Sequence, residues 1–460
     1  MKQPEYDVII IGGGQAGIPL AHSLAASGKQ VALVERLHLG GSCVNFGCTP
    51  TKAAIASARI AHLARRGAEF GLNIPTIKVD FPAVLERAKN IALESRTSLE
   101  KDLKETGNPK LIRGQARLVG KDESGKFFKL QIGEKIVTAK EIVLNTGTRS
   151  VIPKIDGLDK VKFIDAGNWL EHSDLPEHLA IIGGSYIGLE MCQFYRRMGS
   201  RVTVIEGGSR IASREDEDIS EALQTLLEKE GIDFCLNAKL SRIESNDSGI
   251  VLTYDEQGDS KTLNATHLFI AVGRKPNTDD LGLESVGVKM DERGIIEVDE
   301  RLATNVEGIR AAGDIRGGFQ FTHTAWDDYR ILESQMTGDK SRTTKRIVPY
   351  AMFTDPELGR VGMTEKEARE KAIDIKVSCF EMKKNGKARE IGEPEGFIKV
   401  ISDAKTDKII GAAVLANEGA ELVHNYVDLM NAGAPFTVLR DAVYIHPTLA
   451  EAVQSAVKSL

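Results

Sequence analysis

Tyr6-Asp7-Val8-Ile9-Ile10-Ile11-Gly12-Gly13-Gly14-Gln15-Ala16-Gly17 decides how the rest of the chain reads. Tyr6 to Ile11 is a short apolar run of the kind that forms a strand buried on both faces. It runs directly into a G-x-G-x-x-G. Ile18 to Ala26 is predicted helix, Gly28 ends it, and Val31 to Val34 is the next strand, finishing at Glu35. Gly12 permits a tight turn, Gly14 lets backbone approach a pyrophosphate, and Gly17 allows close helix–strand contact. The helix N-terminus supplies an anion site. Glu35 is placed to accept from ribose hydroxyls. A lone G-x-G-x-x-G is a weak signal. The strand before it, the helix after it and the acid at the right distance make this a βαβ dinucleotide-binding unit.

The pattern occurs twice. Leu179 to Ile182 is a second apolar run, followed by Gly183-Gly184-Ser185-Tyr186-Ile187-Gly188, a helix to about Met198, a strand over Val202 to Ile205, and Glu206. The spacing from Gly12 to Glu35 equals that from Gly183 to Glu206. Equal spacing in two copies points to two dinucleotide sites. Ser185 stands where the middle glycine belongs and adds bulk near the pyrophosphate, still compatible with binding. A carboxylate at Glu206 bonds the ribose 2′-OH of NAD and repels a 2′-phosphate. Ser209 and Arg210 follow closely, so NADH is favoured and NADPH is possible.

Between the two units lies Gly40-Gly41-Ser42-Cys43-Val44-Asn45-Phe46-Gly47-Cys48-Thr49-Pro50-Thr51-Lys52. Ala53 to Arg66 has apolar positions at helical spacing, and proline is tolerated in a first turn. Cys48 then sits near a helix N-terminus, where unpaired N–H groups and the macrodipole favour an anion and lower a thiol's pKa. The reading is a redox-active dithiol. A structural disulfide, half a zinc site and two buried small side chains are the competing readings. No further Cys or His pair has zinc-ligand spacing, so no metal site is expected. Residues 53–104 are predicted mostly helical with a break around Gly71 to Pro82, and Leu111 to Val143 as short strands.

Composition bounds the class. The chain has 460 residues, 42% of them hydrophobic, and a net charge of −6. That length suggests about three domains, and the mild charge argues against a nucleic-acid partner. Five cysteines fit a reducing compartment with one special pair, leaving Cys192, Cys235 and Cys379 as expected packed side chains. Val8 to Ile11 is too short to cross a membrane and no leader pattern opens the chain. A cytoplasmic protein without a membrane partner is expected.

The dithiol stretch resembles the active-site motif of the class I pyridine nucleotide–disulfide oxidoreductases, which include dihydrolipoamide dehydrogenase, glutathione reductase and mercuric reductase. The cysteine spacing, the preceding Gly pair and the trailing Pro-Thr-Lys all fit. The resemblance implies an α/β fold, glutathione reductase-like, with two Rossmann-like dinucleotide-binding domains and an α+β C-terminal dimerisation domain. It implies FAD on residues 1–150 and 275–345, NAD(P)H on residues 151–274, and an interface domain over 346–460. Asn145-Thr146-Gly147-Thr148 resembles the turn that passes the FAD. Gly273, in Ala271-Val272-Gly273-Arg274-Lys275-Pro276-Asn277, resembles the turn leaving the second nucleotide domain. Gly313-Asp314 resembles the turn whose aspartate bonds the FAD ribitol. By the same resemblance Glu190 pairs with Lys52 at the flavin, and Tyr186 matches a position where some relatives gate the nicotinamide pocket.

The resemblance also implies a mechanism. Hydride passes from NAD(P)H to FAD, then to a Cys43–Cys48 disulfide, then to an external acceptor. Cys48 is the flavin-side thiolate and Cys43 the interchange thiol. Phe353 to Glu357 and Val361 to Glu365 resemble the opening of the dimerisation domain. His446-Pro447-Thr448-Leu449-Ala450-Glu451 resembles the element that sends an acid–base histidine into the partner subunit of a homodimer, with Glu451 orienting it. Read locally, Thr448 and Glu451 also form a T-x-x-E capping box for the last helix. Lys383-Lys384-Asn385-Gly386-Lys387 reads as a solvated loop.

The substrate is expected to be a small disulfide or oxidant. Val44-Asn45-Phe46-Gly47-Cys48 resembles both the mercuric reductase and dihydrolipoamide dehydrogenase branches. The chain ends Val457-Lys458-Ser459-Leu460, without the cysteine pair usual in mercuric reductases, and an N-terminal metal-binding domain is not expected. Phe321-Thr322-His323-Thr324-Ala325-Trp326-Asp327-Asp328-Tyr329-Arg330 departs from dihydrolipoamide dehydrogenases towards a mercuric-reductase-like group that includes reductases of oxidant species. Metal ions or hypohalous-type oxidants are therefore the alternative substrates. A flavin-binding redox sensor or complex subunit is the non-enzymatic alternative. The complete set of Cys43, Cys48, Lys52, Glu190, His446 and Glu451 argues against it.

Overall fold

The computed structural model describes residues 3–246 and 249–460. The apolar run Tyr6–Ile11 is strand β1, Gly17–Ala26 is helix α1 and Val31–Glu35 is strand β2. β1 lies parallel to β2 on one side, with Ile9 opposite Ala32, and parallel to Lys135–Leu144 on the other, with Ile10 opposite Val143. Both faces of β1 are covered, which is why its sequence is apolar without alternation. Lys110–Arg113, Phe128–Ile132 and Ala116–Lys121 extend this sheet to either side. Ile309–Ala311 joins it in parallel beside Lys135–Leu144, so residues far along the chain return to complete the first unit.

Helix α2 (Cys48–Arg65) and helix α3 (Phe81–Thr106) lie side by side. Ala54, Ala58 and Ala61 give α2 a narrow stripe that admits close neighbours. That stripe shares a core with Phe81, Leu85 and Ala88 of α3 and with Phe194 and Tyr195 of the second unit. The break in helicity ends where Asp80 accepts from the Ala83 N–H at 3.1 Å and Pro82 occupies the first turn of α3.

The second unit repeats the first. His178–Ile182 (β3), Tyr186–Met198 (α4) and Arg201–Ile205 (β4) follow the order of β1, α1 and β2. β3 pairs in parallel with β4 and with His267–Ile270, and β4 with Ile232–Cys235. An antiparallel three-stranded sheet over Ala238–Asn246, Gly249–Glu256 and Asp259–Ala265 stands beside it. Thr148–Ser150 and Arg274–Pro276 pair antiparallel where the chain passes into and out of this unit. The C-terminal unit is a five-stranded antiparallel sheet ordered Tyr350–Met352, Glu357–Gly362, Ile409–Ala416, Phe397–Asp403, Ile375–Glu381, with helices on its flank. Among the described residues no helix is long and apolar enough to cross a membrane.

Four expectations need correction. α2 starts at Cys48 itself, and a short helix, Gly41–Asn45, carries Cys43. The Lys383–Lys387 stretch is not a loop. Asn385 is buried and caps a short helix, Gly386–Glu390, by accepting from the Ala388 N–H at 2.9 Å. The last helix begins at Glu451, not behind a Thr448 cap. Thr448 Oγ1 donates to the Ile445 carbonyl, and only the Glu451 half of the box forms, accepting from the Thr448 N–H at 2.9 Å. Cys379 is exposed, whereas Cys192 is buried and Cys235 half-buried.

Candidate active site

The two glycine turns are wired alike. A Cβ on Gly12 would lie 2.2 Å from the Asn145 carbonyl oxygen, and one on Gly183 2.6 Å from that of Ala271. Glu35 accepts from the N–H groups of Gly13 at 2.8 Å and Leu37 at 2.7 Å. Glu206 accepts from those of Gly184 and Gly208, both at 2.7 Å. Each acid is thereby fixed at the end of its strand; Gly12 and Gly14 of the first turn line the cleft described below, whereas Gly183, Ser185, Gly188 and Glu206 of the second do not.

The turns differ at one point, and the difference explains Ser185. Asn145 Oδ1 accepts from the Gly17 N–H at 2.9 Å, and its Nδ2 donates to the Ala312 carbonyl at 2.9 Å. A Cβ on Gly14 would stand 3.2 Å from that Oδ1. In the second unit the position of Asn145 is taken by Ala271, whose side chain stops at Cβ, so a serine fits. A side chain at the middle position is crowded by Asn145 in the first turn and has no such neighbour in the second.

A cleft of about 1980 Å³ collects most of the expected residues. Gly12, Gly14, Glu35, Thr146, Gly147, Gly273, Gly313 and Asp314 line it, with Cys43, Cys48, Lys52, Tyr186 and Glu190. Thr146 Oγ1 donates to the Asn277 carbonyl and Asn277 Nδ2 to the Thr146 carbonyl, each at 2.8 Å, clamping the crossing between units. The Gly313 N–H donates at 2.8 Å to Asp328, a fully buried carboxylate also held by Arg316 and Arg346. Asp314 accepts from Thr148 Oγ1 at 3.0 Å, and burial pushes its carboxyl above the usual range. The glycine cradle a Cβ would fill, the fixed acid and this second turn fit a bound FAD.

The dithiol sits over the same cleft. Trp169 Nε1 donates to the Phe46 carbonyl at 2.8 Å and anchors the loop between the cysteines. Cys48 Sγ lies 3.2 Å from Thr322 Oγ1, and the two thiols are close enough that each shifts the other's ionisation. Cys48 faces the cleft, while protein atoms crowd it on its other sides. The hydrogen bond from Cys43 contributes most to pulling Cys48 down to about 6; Thr322 and the Lys52 charge assist, and burial and Glu190 oppose. Cys43 moves the other way, because its proton is shared with the Cys48 sulfur and it is partly buried. One thiolate and one thiol result, with the negative charge on the sulfur at the helix N-terminus.

Lys52 Nζ pairs with Glu190 Oε2 at 2.7 Å, and Glu190 Oε1 accepts from the Phe353 N–H at 2.9 Å. Glu190 is 7% exposed, so it is not a solvated helix carboxylate. His446 does not line the cleft of its own chain. Its Nδ1 lies 3.0 and 3.2 Å from the two Glu451 oxygens, on a surface where Val443 is 100% and Ile445 80% exposed. Asn145 and Thr322 entered the sequence reading only as members of longer stretches, with no role of their own, and Glu215 did not enter it. Their contacts join segments far apart in the chain.

Comparison with known proteins gives the class. Residues 6–328 match the pyridine nucleotide-disulphide oxidoreductase family and residues 348–457 match its dimerisation domain. The chain belongs to this family, FAD-dependent enzymes that work with NAD(P)H and a redox-active disulfide, and its second match marks it as dimer-forming. It is 35% identical over 454 residues to the probable pyridine nucleotide-disulfide oxidoreductase RclA of Escherichia coli (strain K12), covering 98% of each chain. It is 32% identical over 464 residues to a dihydrolipoyl dehydrogenase of Cupriavidus necator, covering 98% of this chain and 97% of that one. The solved Cu(II) complex of the HOCl-induced flavoprotein disulfide reductase RclA from Escherichia coli superposes with a TM-score of 0.88 at 33% identity, over 99% of both chains.

Proposed function

We propose that this homodimeric enzyme carries electrons from NADH through the Cys43–Cys48 pair to a small disulfide or hypohalous-type oxidant. The observation that carries the reading is the single cleft holding the FAD cradle, the Lys52–Glu190 pair and the asymmetric dithiol. FAD, when bound, supplies the two-electron relay between coenzyme and cysteines. The domain limits are taken as 1–150 with 275–345, 151–274, and 346–460. Gly12, Gly14, Gly17, Glu35, Thr146, Gly147, Gly313 and Asp314 hold FAD. Gly183, Ser185, Gly188, Glu206 and Gly273 hold the coenzyme. NADH is favoured because a carboxylate at Glu206 repels a 2′-phosphate and Arg210, the nearby cation, is engaged with the Ser213 and Glu215 carbonyls, both at 3.2 Å.

The thiol chemistry belongs to the chain. Reduction opens the Cys43–Cys48 bond, leaving Cys48 as thiolate and Cys43 as thiol. The partner's His446, which Glu451 orients, takes the Cys43 proton as Cys43 attacks one sulfur of an external disulfide; the old S–S bond breaks, and the leaving thiolate receives that proton back from His446. The Cys48 thiolate then attacks Cys43, reforms the internal disulfide and releases the second half as a thiolate, which takes a proton from solvent. With a hypohalous acid the same dithiol closes to the disulfide while the oxidant becomes halide and water. The redox poise must lie between coenzyme and acceptor, where about 30 mV changes the balance by about 1.4 kcal/mol.

The similarity to a HOCl-induced reductase supports an oxidant or an oxidant-derived disulfide as acceptor. The dihydrolipoyl dehydrogenase relative supports lipoamide as the second reading. The deciding experiment is anaerobic titration with NADH, then reoxidation by a panel of lipoamide, glutathione disulfide, mercuric ion, hypochlorite and hypothiocyanite. Fastest reoxidation by lipoamide overturns the oxidant reading, and no turnover with any acceptor favours a redox sensor.

A further inference from the structure

The Lys383–Lys387 stretch takes no part in the thiol chemistry, yet one of its side chains reaches the element that does. Asn385 lies just past the edge strand Ile375–Glu381 of the C-terminal sheet and is 4% exposed. Its backbone N–H donates to the Met382 carbonyl at 2.9 Å, and its Oδ1 accepts from the Ala388 N–H at 2.9 Å. Met382 and Ala388 are both fully buried in the core of this unit, so Asn385 is fixed from two sides. Its Nδ2 then donates to the Thr448 carbonyl at 3.1 Å, across 63 positions of chain. Capping the helix Gly386–Glu390 needs only an acceptor, which Ser, Thr or Asp would also supply. Bonding Thr448 at the same time needs a donor on a second atom. A carboxylate has no donor, and a hydroxyl carries both functions on one atom. The carboxamide is therefore explained by Thr448 together with the helix, and not by the helix alone.

Thr448 is two residues past His446. Its N–H donates to Glu451 Oε2 at 2.9 Å and its hydroxyl to the Ile445 carbonyl at 2.8 Å, while the Glu451 oxygens meet His446 Nδ1. These bonds all fall within residues 445–451. They shape the element without attaching it to the rest of the unit, and residues 441–447 are exposed apart from half-buried Tyr444. Attachment comes from either end. Beyond the last helix, Ser459 Oγ lies 2.6 Å from Ser378 Oγ on the edge strand. Ahead of that helix, Asn385 holds the Thr448 carbonyl. The histidine is thus carried on a segment tied at both ends to one side of the sheet.

We propose that Asn385 is a positioning residue: its bond to the Thr448 carbonyl sets where His446 stands when it meets the partner's Cys43. This rests on the reading that His446 is the acid–base group for the dithiol. Asn385 fixes the Thr448 residue, the Thr448 N–H holds Glu451, and Glu451 holds the imidazole. An acid–base group works only within hydrogen-bond reach of the atom whose proton it moves, so a displacement of about 1 Å is felt in the rate.

The test measures the two half-reactions of the anaerobic holoenzyme separately, with lipoamide and hypochlorite as acceptors. Asn385→Ser keeps a good cap for the short helix but is too short to reach Thr448 as well. It should slow reoxidation by about tenfold and leave the NADH half-reaction within about twofold. The loss should fall on the limiting rate and not on the acceptor's KM, because Asn385 does not line the cleft. In a His446→Gln background Asn385→Ser should add nothing further, since the residue acts through the histidine. Asn385→Asp, which keeps the size and the cap but sets an acceptor against the Thr448 carbonyl, should behave alike and serves if the serine variant fails to fold. Undiminished reoxidation in both variants, or a tenfold loss that persists without His446, overturns the tie. So does a loss that disappears as protein concentration rises, which would report assembly of the dimer instead. If His446→Gln slows reoxidation while the Asn385 variants do nothing, the tie alone fails. If His446→Gln does nothing, the acid–base reading of His446 itself fails.

Discussion

Removing the Cys43 side-chain donor should return the Cys48 sulfur towards ordinary thiol behaviour. The Cys43 hydrogen bond is the largest contribution to holding Cys48 at about 6 rather than near 9. At a pKa of about 6, about nine in ten Cys48 sulfurs are ionised at pH 7; at about 9, about one in a hundred are. Cys43→Ser keeps a hydroxyl donor and Cys43→Ala removes it, and neither variant can form the internal disulfide. Both should stop disulfide turnover while leaving a thiolate beside the oxidised flavin, visible as a long-wavelength absorbance band. Protonation removes the thiolate, so the band must fade as pH falls through the Cys48 pKa and be full above it. In Cys43→Ser the midpoint is expected near pH 6. In Cys43→Ala it should rise by more than one unit, each unit being tenfold in the equilibrium, so the band at pH 7 shrinks visibly. Coincident midpoints, or a midpoint near 9 in Cys43→Ser, would refute the assignment of Cys43 as the donor that sets this charge. Retained disulfide turnover in either variant would refute the division of roles.

The neighbours of Cys48 should move the same midpoint with opposite signs: Lys52→Met upward, by loss of a cation, and Glu190→Gln downward, by loss of an anion, both read from the band in the Cys43→Ser background. Thr322→Val should raise it too, while Thr322→Ser holds it near its starting value. His446→Gln should slow the reoxidation half-reaction by about 100-fold or more, the usual scale for a general acid–base group, and leave the NADH half-reaction within about twofold. Equal loss in both halves would place His446 elsewhere. Asn145→Ala leaves the Gly17 N–H and the Ala312 carbonyl without their side-chain partner, which should cost about 2 kcal/mol and loosen FAD, measured by thermal unfolding and by flavin lost on gel filtration.

Both glycine turns were legible because each requirement is local. A Cβ on Gly17 or Gly188 would meet the carbonyl of the first glycine of its own turn, at Gly12 or Gly183, and each acid sits at the end of the next strand. The dithiol was legible for the same reason, its helix beginning at the second cysteine. Thr322 was not, because it reaches Cys48 across 274 positions, and no spacing rule connects them. Ser185, read alone, is a departure from the pattern that is still compatible with binding. It is tolerated because Ala271, not an asparagine, lies opposite, so the explanation resides in a residue from another strand.

The C-terminal segment shows how one side chain with two possible partners defeats a local rule. The T-x-x-E pattern at Thr448 and Glu451 satisfies the spacing of a capping box, which needs the Glu carboxylate at the Thr N–H and the Thr hydroxyl at the Glu N–H. Glu451 meets the first demand and also takes the His446 imidazole at 3.0 Å. The Thr448 N–H and His446 together hold the Glu451 carboxyl below its usual range. The hydroxyl does not meet the second and turns back to Ile445 instead, so the helix starts at Glu451 with Ala450 in the N-cap position, two residues later than a Thr448 N-cap would place it. A helix terminus with an incomplete cap is a small loss in stability, of order 1 kcal/mol. What that loss secures is an imidazole with a fixed Nδ1 partner on an exposed surface, which leaves Nε2 free to face a second chain. Full recovery of the box in a Glu451 variant unable to hold His446 would therefore stabilise the helix while slowing reoxidation, and that opposition of signs separates a proton-transfer histidine from a merely structural one.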